Sequence, residues 1–347
     1  MQFNAAILIE QNQPLEIHTL GVPPLRFGQV LVKVLCSGIC GSQLGEIAGA
    51  KGADPWIPHL LGHEGCGEVL ECGEGVFNVK PGDKVVMHWR QGSGLQAPPP
   101  IYHSKSLGNV NAGWVTTFNE MAVVSENRLT SVPSSLYPDF AALMGCAITT
   151  GLGVINNNAR VKIGESVVVW GAGGLGLNMV QGASMVSANP IIAVDLYDAK
   201  LTLARELGAT HSFNSKNCDP SDEIRAIVGD AGADVVIDNT GNPQVIRSCY
   251  DLTQPSGRTI LVGVPPKGLD TTLYTLPLHF EKALIGSHGG EAQPDIDIPK
   301  YISLYDEGKM HIKPFITNRY GFADINQAIC DIQSGKTVGR CIIDMEN

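Results

Sequence analysis

The chain has 347 residues, of which 44% are hydrophobic and 17% are charged, and its formal net charge is −10 at pH 7. This length predicts about two domains, and the hydrophobic share excludes a disordered chain. Acidic residues outnumber basic ones and no basic cluster occurs, so we do not expect nucleic acids or anionic membranes as partners.

The N-terminal residues 1–17 contain no basic segment followed by a long apolar core. We therefore expect neither a signal peptide nor a membrane span. The nine cysteines are odd in number and show no regular spacing. Such usage indicates reduced thiols in a cytoplasmic protein.

The first part of the chain, up to about residue 150, predicts a β-rich region. Short runs of β-branched or alternating residues, separated by Gly, Pro and Asn, are typical of strands. These runs read QVLVKVLCSGICG, GCGEVLECG, DKVVMHW and NEMAVVSENRL.

A different pattern begins at Val161, where short apolar runs alternate with helical ones. The predicted strands are ESVVVWG, PIIAVDL, DVVIDNT, RTILVGV and KALIGS, and the predicted helices are NMVQGASMV and DAKLTLARELGA. This alternation predicts a doubly wound parallel sheet covered by helices on both faces. After about Gly286 we expect irregular chain, then a helix in ADINQAICDIQSGK and a strand in RCIIDM.

A glycine motif lies between the first strand and the first helix of this region. VVVWGAGGLGLNMV contains Gly171, Gly173, Gly174 and Gly176, and Asp195 follows about 20 residues later at the end of PIIAVD. The glycines allow a tight turn and close approach of the backbone to a pyrophosphate at a helix N-terminus, while the acid binds the ribose hydroxyls. The motif predicts a Rossmann domain that prefers NAD to NADP. The alternative is a glycine-rich turn with a surface aspartate.

The segment LLGHEGCGEV places His63 and Glu64 side by side among apolar residues. A buried charge needs a partner or a metal ion, and a neutral imidazole is a good zinc ligand. Cys40, in SGICGSQ, and Cys146, in AALMGCAITTGLG, would complete a Cys₂His set. Spacing alone does not join these residues. A structural His–Glu pair and small buried cysteines are the alternatives.

The segments CGSQ, GHEGCGEV, GCAITTG and GAGGLG occur in this order, and together they resemble the zinc-dependent alcohol dehydrogenases of the medium-chain dehydrogenase/reductase (MDR) family. The resemblance implies a GroES-like catalytic domain, formed by residues 1–148 and 287–347. It also implies a Rossmann NAD-binding domain at residues 149–286, and a homodimer or a homotetramer.

The resemblance also implies roles for individual residues. Cys40, His63 and Cys146 match the three ligands of the catalytic zinc. Glu64 matches an acid that lies beside the metal and occasionally binds it, and Ser42 matches a hydroxyl that relays a proton from the alcohol. The implied cofactor-binding residues outside the glycine motif are Thr150, Leu175, Gly263 and Val264 at the nicotinamide, Lys200 at the adenosine ribose, and Arg340 at the pyrophosphate.

The sequence departs from the family pattern in two places. The segment Gln91–Val115 contains no cysteine, so we expect one catalytic zinc per chain and no structural zinc. Gln43 occupies a position that is usually aspartate, and Gly45 one where a relay histidine is common. The proton route beyond Ser42 therefore stays open among water, a ribose hydroxyl and a side chain such as Glu46.

The predicted function is hydride transfer between NAD and a small-molecule alcohol or carbonyl compound. Trp89 falls at a substrate-pocket position, and a polyol or sugar-like secondary alcohol is the favoured substrate. His88 and Arg90 could bind polar substrate groups, although strand alternation prevents both from sharing the face of Trp89. The alternative is that the side chains of His88 and Arg90 face solvent or form structural contacts with other protein groups. Two other functions stay open, a zinc-free quinone or enone reductase on the same fold and a non-catalytic NAD-binding redox sensor.

Overall fold

The structure is a computed structural model that describes residues 1–216 and 219–346. The chain folds as two compact units. The first unit comprises Met1–Ala147, Gln293–Leu304 and the chain from Ile316 onward, and the second comprises Ile148–Ala292 and Tyr305–Phe315. The resemblance implied a catalytic domain from residue 287 on, whereas the structure places residues 287–292 and 305–315 in the second unit.

The N-terminal part of the first unit is rich in strands, as the sequence predicts. Its strands are β1 (Gln2–Leu8), β2 (Glu16–Gly21), β3 (Gln29–Gly38), β4 (His59–Leu60), β5 (Glu64–Cys72), β6 (Lys84–His88), β7 (Ile101–Ser104), β8 (Gly108–Asn111), β9 (Met121–Ser125) and β10 (Leu129–Ser131). Its helices are α1 (Gly41–Ile47) and α2 (Pro138–Met144).

The second unit alternates strands and helices. Helix α3 (Ala147–Gly153) begins at the boundary between the units and continues as a π-helical turn, Val154–Ala159. The strands are β11 (Val167–Trp170), β12 (Ile191–Asp195), β13 (His211–Asn214), β14 (Ala233–Asp238), β15 (Thr253–Leu261) and β16 (Ala283–Gly286). The helices between them are α4 (Gly174–Met185), α5 (Asp198–Glu206), α6 (Ser221–Val228) and α7 (Pro243–Leu252).

The C-terminal part of the chain contains a helix that the sequence analysis missed. The elements are α8 (Pro294–Asp306), β17 (Ile316–Gly321), α9 (Ile325–Gln333) and β18 (Arg340–Asp344). We predicted irregular chain after about Gly286, where α8 lies, and this helix contains Pro299, a residue that is unfavourable in a helix interior. The buried residues Pro294, Ile298 and Tyr301 nevertheless follow the helical period, and this signal was available.

Two β structures build the first unit. Strands β1, β2, β7, β8 and β4 close into a barrel, and β10, β6, β5, β3, β18 and β17 form a sheet to which β9 adds by pairing with β3. In the long strand β3 eight of ten residues are buried, which explains its nearly continuous apolar sequence. The antiparallel pairing of β3 with both β5 and β18 brings the ends of three distant segments together.

The second unit is built on one parallel sheet with the strand order β13-β12-β11-β14-β15-β16. Every residue of β11 and of β12 is buried, as expected for central strands covered by helices on both faces. This order is the doubly wound order of dinucleotide-binding domains, with β11 at the point where the connections reverse direction. The predicted fold class is confirmed for both units.

Among the described residues, no single helix is both long and apolar enough to cross a membrane. Only the bent pair formed by Pro138–Met144 and Ala147–Ala159 meets the length and composition criteria when the two helices are joined.

Candidate active site

Three potential metal ligands converge in the first unit. Cys40 caps the N-terminus of α1 just after β3, His63 immediately precedes β5, and Cys146 lies between α2 and α3. The antiparallel pairing of β3 and β5 brings Cys40 and His63 to the same end of the sheet. Two sulfur atoms and one imidazole nitrogen from these residues lie within 4.8 Å of one another. The structure thus joins the residues that spacing alone could not.

The imidazole of His63 is oriented by its neighbours. Its Nδ1 atom contacts the side-chain amide of Gln43, and its buried Nε2 atom has no hydrogen-bond partner among the described residues. An unpartnered buried nitrogen is costly, whereas a metal ion would use its lone pair. A buried ring with an unpartnered nitrogen, in one group with two cysteine sulfurs, therefore fits a metal ligand.

The surroundings of Cys40 favour the thiolate form that binds a metal ion. A hydrogen bond from Cys146 lowers the pKa of Cys40 well below its usual range, despite burial, which acts in the opposite direction. His63 and Arg340 lower it further. Metals bind the thiolate rather than the thiol, and a Cys₂His donor set is one that catalytic zinc uses. The residues present therefore fit zinc.

Glu64 is fully buried and forms an ion pair with Arg340, the first residue of β18. Its Oε2 atom also accepts a hydrogen bond of 3.1 Å from the backbone N–H of Ala147. A Cβ atom at Gly38 would lie 2.5 Å from Glu64 Oε1, so the pair needs glycine there. The pairing of Glu64 with Arg340 was missed, because nothing in the sequence indicates which strands become neighbours. The pyrophosphate role of Arg340 stays a prediction.

The helix that follows Cys40 carries the candidate proton-relay residues. Ser42 is exposed in the first turn of α1, and Glu46 lies one turn later on the same face.

Glu46 belongs to a second group of possible ligands, with Asp54 and His59. His59 Nε2 lies 2.8 Å from Asp54 Oδ2 and 3.9 Å from Glu46 Oε1, and its Nδ1 lies 2.9 Å from the backbone oxygen of residue 60. Asp54 and His59 of this group thus pair with each other, and Glu46 lies farther from His59.

The predicted substrate residue Trp89 lies near the convergent ligands. The ring centroids of His63 and Trp89 are 6.4 Å apart, and the guanidinium carbon of Arg90 lies 5.8 Å from the indole centroid. His88 is buried, with Nδ1 2.7 Å from the backbone oxygen of Arg90 and Nε2 2.9 Å from Thr130 Oγ1. Burial lowers the pKa of His88 to about 4. The alternative that His88 forms structural contacts, rather than binding the substrate, is therefore confirmed.

The sequence analysis missed a residue that supports Trp89. The guanidinium of Arg128 donates a hydrogen bond to the backbone oxygen of Trp89, and another of 3.2 Å to Gln96 Oε1. Its Cζ atom lies 5.6 Å from the centroid of the Trp114 ring. One buried cation therefore fixes the positions of two tryptophans. An isolated arginine in ENRL carries no signal of this role.

In the second unit, the glycine motif forms the turn from β11 into α4. Gly171 has a φ angle of +97°, which favours glycine, and its N–H donates to the backbone oxygen of Val194 over 2.8 Å. A Cβ atom at Gly176 would lie 1.9 Å from the oxygen of Gly171. A Cβ atom at Gly173, the N-cap of α4, would meet nothing within 4 Å. Open space at a helix N-terminus fits a phosphate group.

Asp195 ends β12 and lies beside this turn. Its Oδ2 atom accepts a hydrogen bond of 2.8 Å from the N–H of Ala172, and its Oδ1 accepts from the N–H groups of Leu196 and Tyr197 at 2.8 and 3.1 Å. The structure thus joins the glycine loop to the acid at the offset that the motif predicts. Lys200 follows in α5, with its Nζ atom 5.0 Å from the centroid of the Tyr197 ring.

The remaining predicted cofactor residues also lie in the second unit. Thr150 is buried in α3, and its Oγ1 atom has no partner among the described residues. Gly174 and Leu175 are the first two residues of α4. Gly263 and Val264 follow β15, where Val264 is exposed and a Cβ atom at Gly263 would lie 2.1 Å from the backbone nitrogen of residue 241.

A β-rich unit with a Cys₂His donor set and a Rossmann unit with its glycine turn, in one chain, define a metal-dependent nicotinamide dehydrogenase. Comparison with known proteins narrows this class. Residues 26–134 match the model of the alcohol dehydrogenase GroES-like domain, and residues 174–307 match that of the zinc-binding dehydrogenases.

The chain is 31% identical to S-(hydroxymethyl)glutathione dehydrogenase of Paracoccus denitrificans, over 99% of its own length and 100% of the relative's. It resembles the crystal structure of benzyl alcohol dehydrogenase from Acinetobacter calcoaceticus, with a TM-score of 0.89, 29% identity and 99% of both chains covered. An alcohol dehydrogenase zinc-binding domain protein from Burkholderia ambifaria gives a TM-score of 0.90 at 27% identity, with 99% of both chains covered.

The chain therefore belongs to the zinc-dependent alcohol dehydrogenases of the MDR family. It is an oxidoreductase that depends on zinc and uses NAD, and it transfers a hydride between the cofactor and a small-molecule alcohol or carbonyl compound.

Proposed function

We propose that Cys40, His63 and Cys146 hold one catalytic zinc ion per chain, and that Glu64 stays beside the ligand set as the partner of Arg340. The observation that carries this proposal is the grouping of a His63 ring nitrogen with both cysteine sulfurs within 4.8 Å, on a ring whose buried Nε2 atom has no hydrogen-bond partner among the described residues. A set of three protein ligands leaves the open position that a substrate oxygen needs.

Bound zinc supplies Lewis acidity, which lowers the pKa of an alcohol hydroxyl and polarises a carbonyl group. The oxygen of Ser42 accepts the hydroxyl proton and passes its own proton outward, because its side chain is exposed. Glu46 is the carboxylate within reach one helical turn later, where Gly45 offers no side chain. Thr150, Leu175, Gly263 and Val264 orient the nicotinamide.

The glycine turn binds the pyrophosphate of NAD through the free N–H groups at the start of α4. Asp195 accepts hydrogen bonds from the adenosine ribose, and its charge repels the 2′-phosphate of NADP. Lys200 completes this site at the ribose. The support for this part of the proposal is the contact between Asp195 and the glycine loop, together with the open space at Gly173.

We propose that the indole of Trp89 stacks on a ring of the substrate, since its centroid lies 6.4 Å from that of His63. One structural neighbour is named for benzyl alcohol, which favours an aromatic alcohol. The polyol or sugar-like secondary alcohol that the sequence favoured is the second candidate, because a sugar ring can also stack on an indole.

Two measurements test the site and its substrate. Elemental analysis of the purified protein should give one zinc per chain, and two tightly bound zinc ions would contradict the single site. Turnover with NAD should then be compared between ring alcohols, polyols and small aliphatic alcohols. Trp89→Ala should reduce kcat/KM for ring alcohols at least tenfold more than for aliphatic ones, and an equal loss for both classes would reject the stacking role.

We also propose a homodimer, or a homotetramer built from dimers, located in the cytoplasm. β16 is an edge strand of its sheet, and an exposed edge is a template for pairing with a second copy. The segment before it exposes a group of large apolar side chains, an arrangement that marks interaction surfaces. They are Val264, Leu269, Tyr274, Leu276 and Phe280.

A further inference from the structure

We infer that Gln43 is a positioning residue for the metal site. The carbonyl oxygen of its side chain holds His63 in the tautomer that leaves Nε2 free, and it does so without adding a negative charge. This inference rests on the proposed function, because it takes His63 as a zinc ligand.

The tautomer follows from the surroundings of the ring. A histidine that binds zinc through Nε2 carries its proton on Nδ1, and metal-bound histidines donate that proton to a carboxylate, a carbonyl group or water. The side chain that Nδ1 of His63 contacts is Gln43, which is itself buried. The only hydrogen-bond acceptor that a glutamine side chain offers is its Oε1 atom.

Rotation of the Gln43 amide can supply the acceptor that the proton on Nδ1 requires. In the structure its nitrogen faces Nδ1, and its buried Oε1 atom has no hydrogen-bond partner in the described parts of the chain. Half a turn about the last side-chain torsion exchanges the two atoms at no cost in shape. Oε1 then accepts the proton on Nδ1. One rotation satisfies the orphaned oxygen and leaves Nε2 for the metal.

The local fold fixes Gln43 in this place. Cys40 caps helix α1, and the backbone N–H of Gln43 donates to the oxygen of Cys40 over 3.1 Å. The same helical turn therefore carries one ligand and the group that orients another. A displacement of α1 would affect both ligands together.

The charge of the site follows from this assignment. Glu64 and Arg340 compensate each other, and two thiolates compensate a zinc ion. The neutral amide adds a dipole but no charge, whereas a carboxylate at residue 43 would make the centre anionic. Zinc should consequently be held less tightly than it would be with a carboxylate there.

Zinc release to a chelator, measured on folded protein, tests the inference with two variants of similar size. Gln43→Leu removes the acceptor, and its zinc affinity should fall about 10- to 100-fold. Gln43→Glu keeps an acceptor and adds a charge, so it should retain zinc at least as tightly as the wild type. Gln29→Leu is the matched control, because Gln29 is also buried in the same unit, and among the described residues its side chain bonds to Arg26 and Pro98. It should lower thermal stability and leave zinc release unchanged.

Wild-type zinc retention in Gln43→Leu would overturn the inference, and so would zinc loss in Gln43→Glu. The second result would mean that Nδ1 accepts a proton from the amide, and that Nε2 therefore carries the ring's hydrogen. Cys40→Ser separates this failure from that of the proposed function. If zinc retention depends on Cys40 but not on Gln43, only the role of Gln43 is wrong. If zinc binding is insensitive to both residues, the ligand assignment itself fails.

Discussion

At the scale of single residues, the candidate site stands out by its unsatisfied polar atoms. Buried polar groups in native proteins nearly always have hydrogen-bond partners, and exceptions call for an explanation. His63 Nε2 and Gln43 Oε1 are both exceptions, and they belong to side chains that touch each other. A metal ion bound to Nε2 explains the first exception and, through the tautomer that it imposes, the second.

The first prediction concerns His63→Ala. The change removes one of three zinc ligands, so zinc content and alcohol oxidation should both be lost. NAD binding should persist, because the glycine turn lies in the other unit. Elemental analysis and NADH fluorescence titration measure the two properties. His103→Ala, at an exposed position in β7 of the same unit, is the control and should behave as the wild type. Full zinc content in His63→Ala would refute the assignment.

A second prediction concerns the pH dependence of stability through His88. Its pKa in the folded protein is about 4 because burial disfavours the charged ring. The unfolded chain takes up the proton near pH 6.5, so the stabilising effect of the neutral ring is complete above that pH. It is lost as the pH falls toward 4.

Between pH 7 and pH 5 this effect amounts to about 2 kcal/mol of unfolding free energy. Urea denaturation of the wild type should show that decrease, and His88→Asn should show a correspondingly weaker pH dependence. Identical slopes for the two proteins would mean that the His88 ring is charged in the folded state at pH 5.

At the scale of secondary-structure elements, two glycines in the turn from β11 to α4 have different roles, one in packing and one in cofactor binding. Gly176→Ala forces a methyl group against the oxygen of Gly171, so it should lower the melting temperature and NAD affinity together. Gly173→Ala places its methyl group in open space, so it should cost no more than about 1 kcal/mol of stability, the usual cost of an N-cap change. It should still weaken NAD binding, because the methyl group occupies the phosphate site.

Each variant is the control for the other. Calorimetry measures the melting temperature, NADH titration measures the cofactor affinity, and the two measurements together distinguish the variants. If Gly173→Ala bound NADH like the wild type, the pyrophosphate would not lie at this turn.

The loop that lacks cysteines is held by a carboxylate. Glu126 is buried, and its oxygens accept hydrogen bonds from the backbone N–H groups of Phe77, Asn78 and Leu95 at 2.5, 2.7 and 2.7 Å. Burial raises the pKa of Glu126, but these three bonds outweigh burial and lower it overall. One of these three bonds joins Leu95, near the start of the segment Gln91–Val115, to Glu126.

We therefore predict that Glu126→Gln lowers the unfolding free energy by about 2 kcal/mol, since an amide offers one acceptor oxygen in place of two charged ones. Urea denaturation measures this loss, and zinc content should not change. Glu68→Gln, on the exposed face of β5, should be neutral in both assays. A loss of zinc in Glu126→Gln would indicate that this loop contributes to a metal site.

At the scale of the whole molecule, the testable property is assembly. Light scattering at micromolar concentration should give the mass of a dimer or a tetramer. The changes Leu276→Glu and Phe280→Glu place charges on the exposed apolar segment before β16, so the double variant should dissociate into monomers. A monomeric mass for the wild type would reject the proposed interface. Unchanged assembly of the variant would place the interface elsewhere.

Linear patterns in the sequence predicted the strand-rich first part, the alternating strands and helices of the second unit and the glycine motif with Asp195. These features depend on side-chain chemistry and on neighbours along the chain, so a linear pattern records them. Other elements, among them α6, α7 and α8, were not predicted from these patterns.

Contacts between residues far apart in sequence became visible only once the strands were paired. The register of β5 and of β18 against β3 brings Cys40, His63 and Arg340 to one end of a sheet, and no local preference encodes that register. For the same reason the partners of His88 and Gln43 became visible only in the fold. Hydrogen bonds between strands join segments far apart in sequence, and a single shift in pairing would give every one of these side chains a different neighbour.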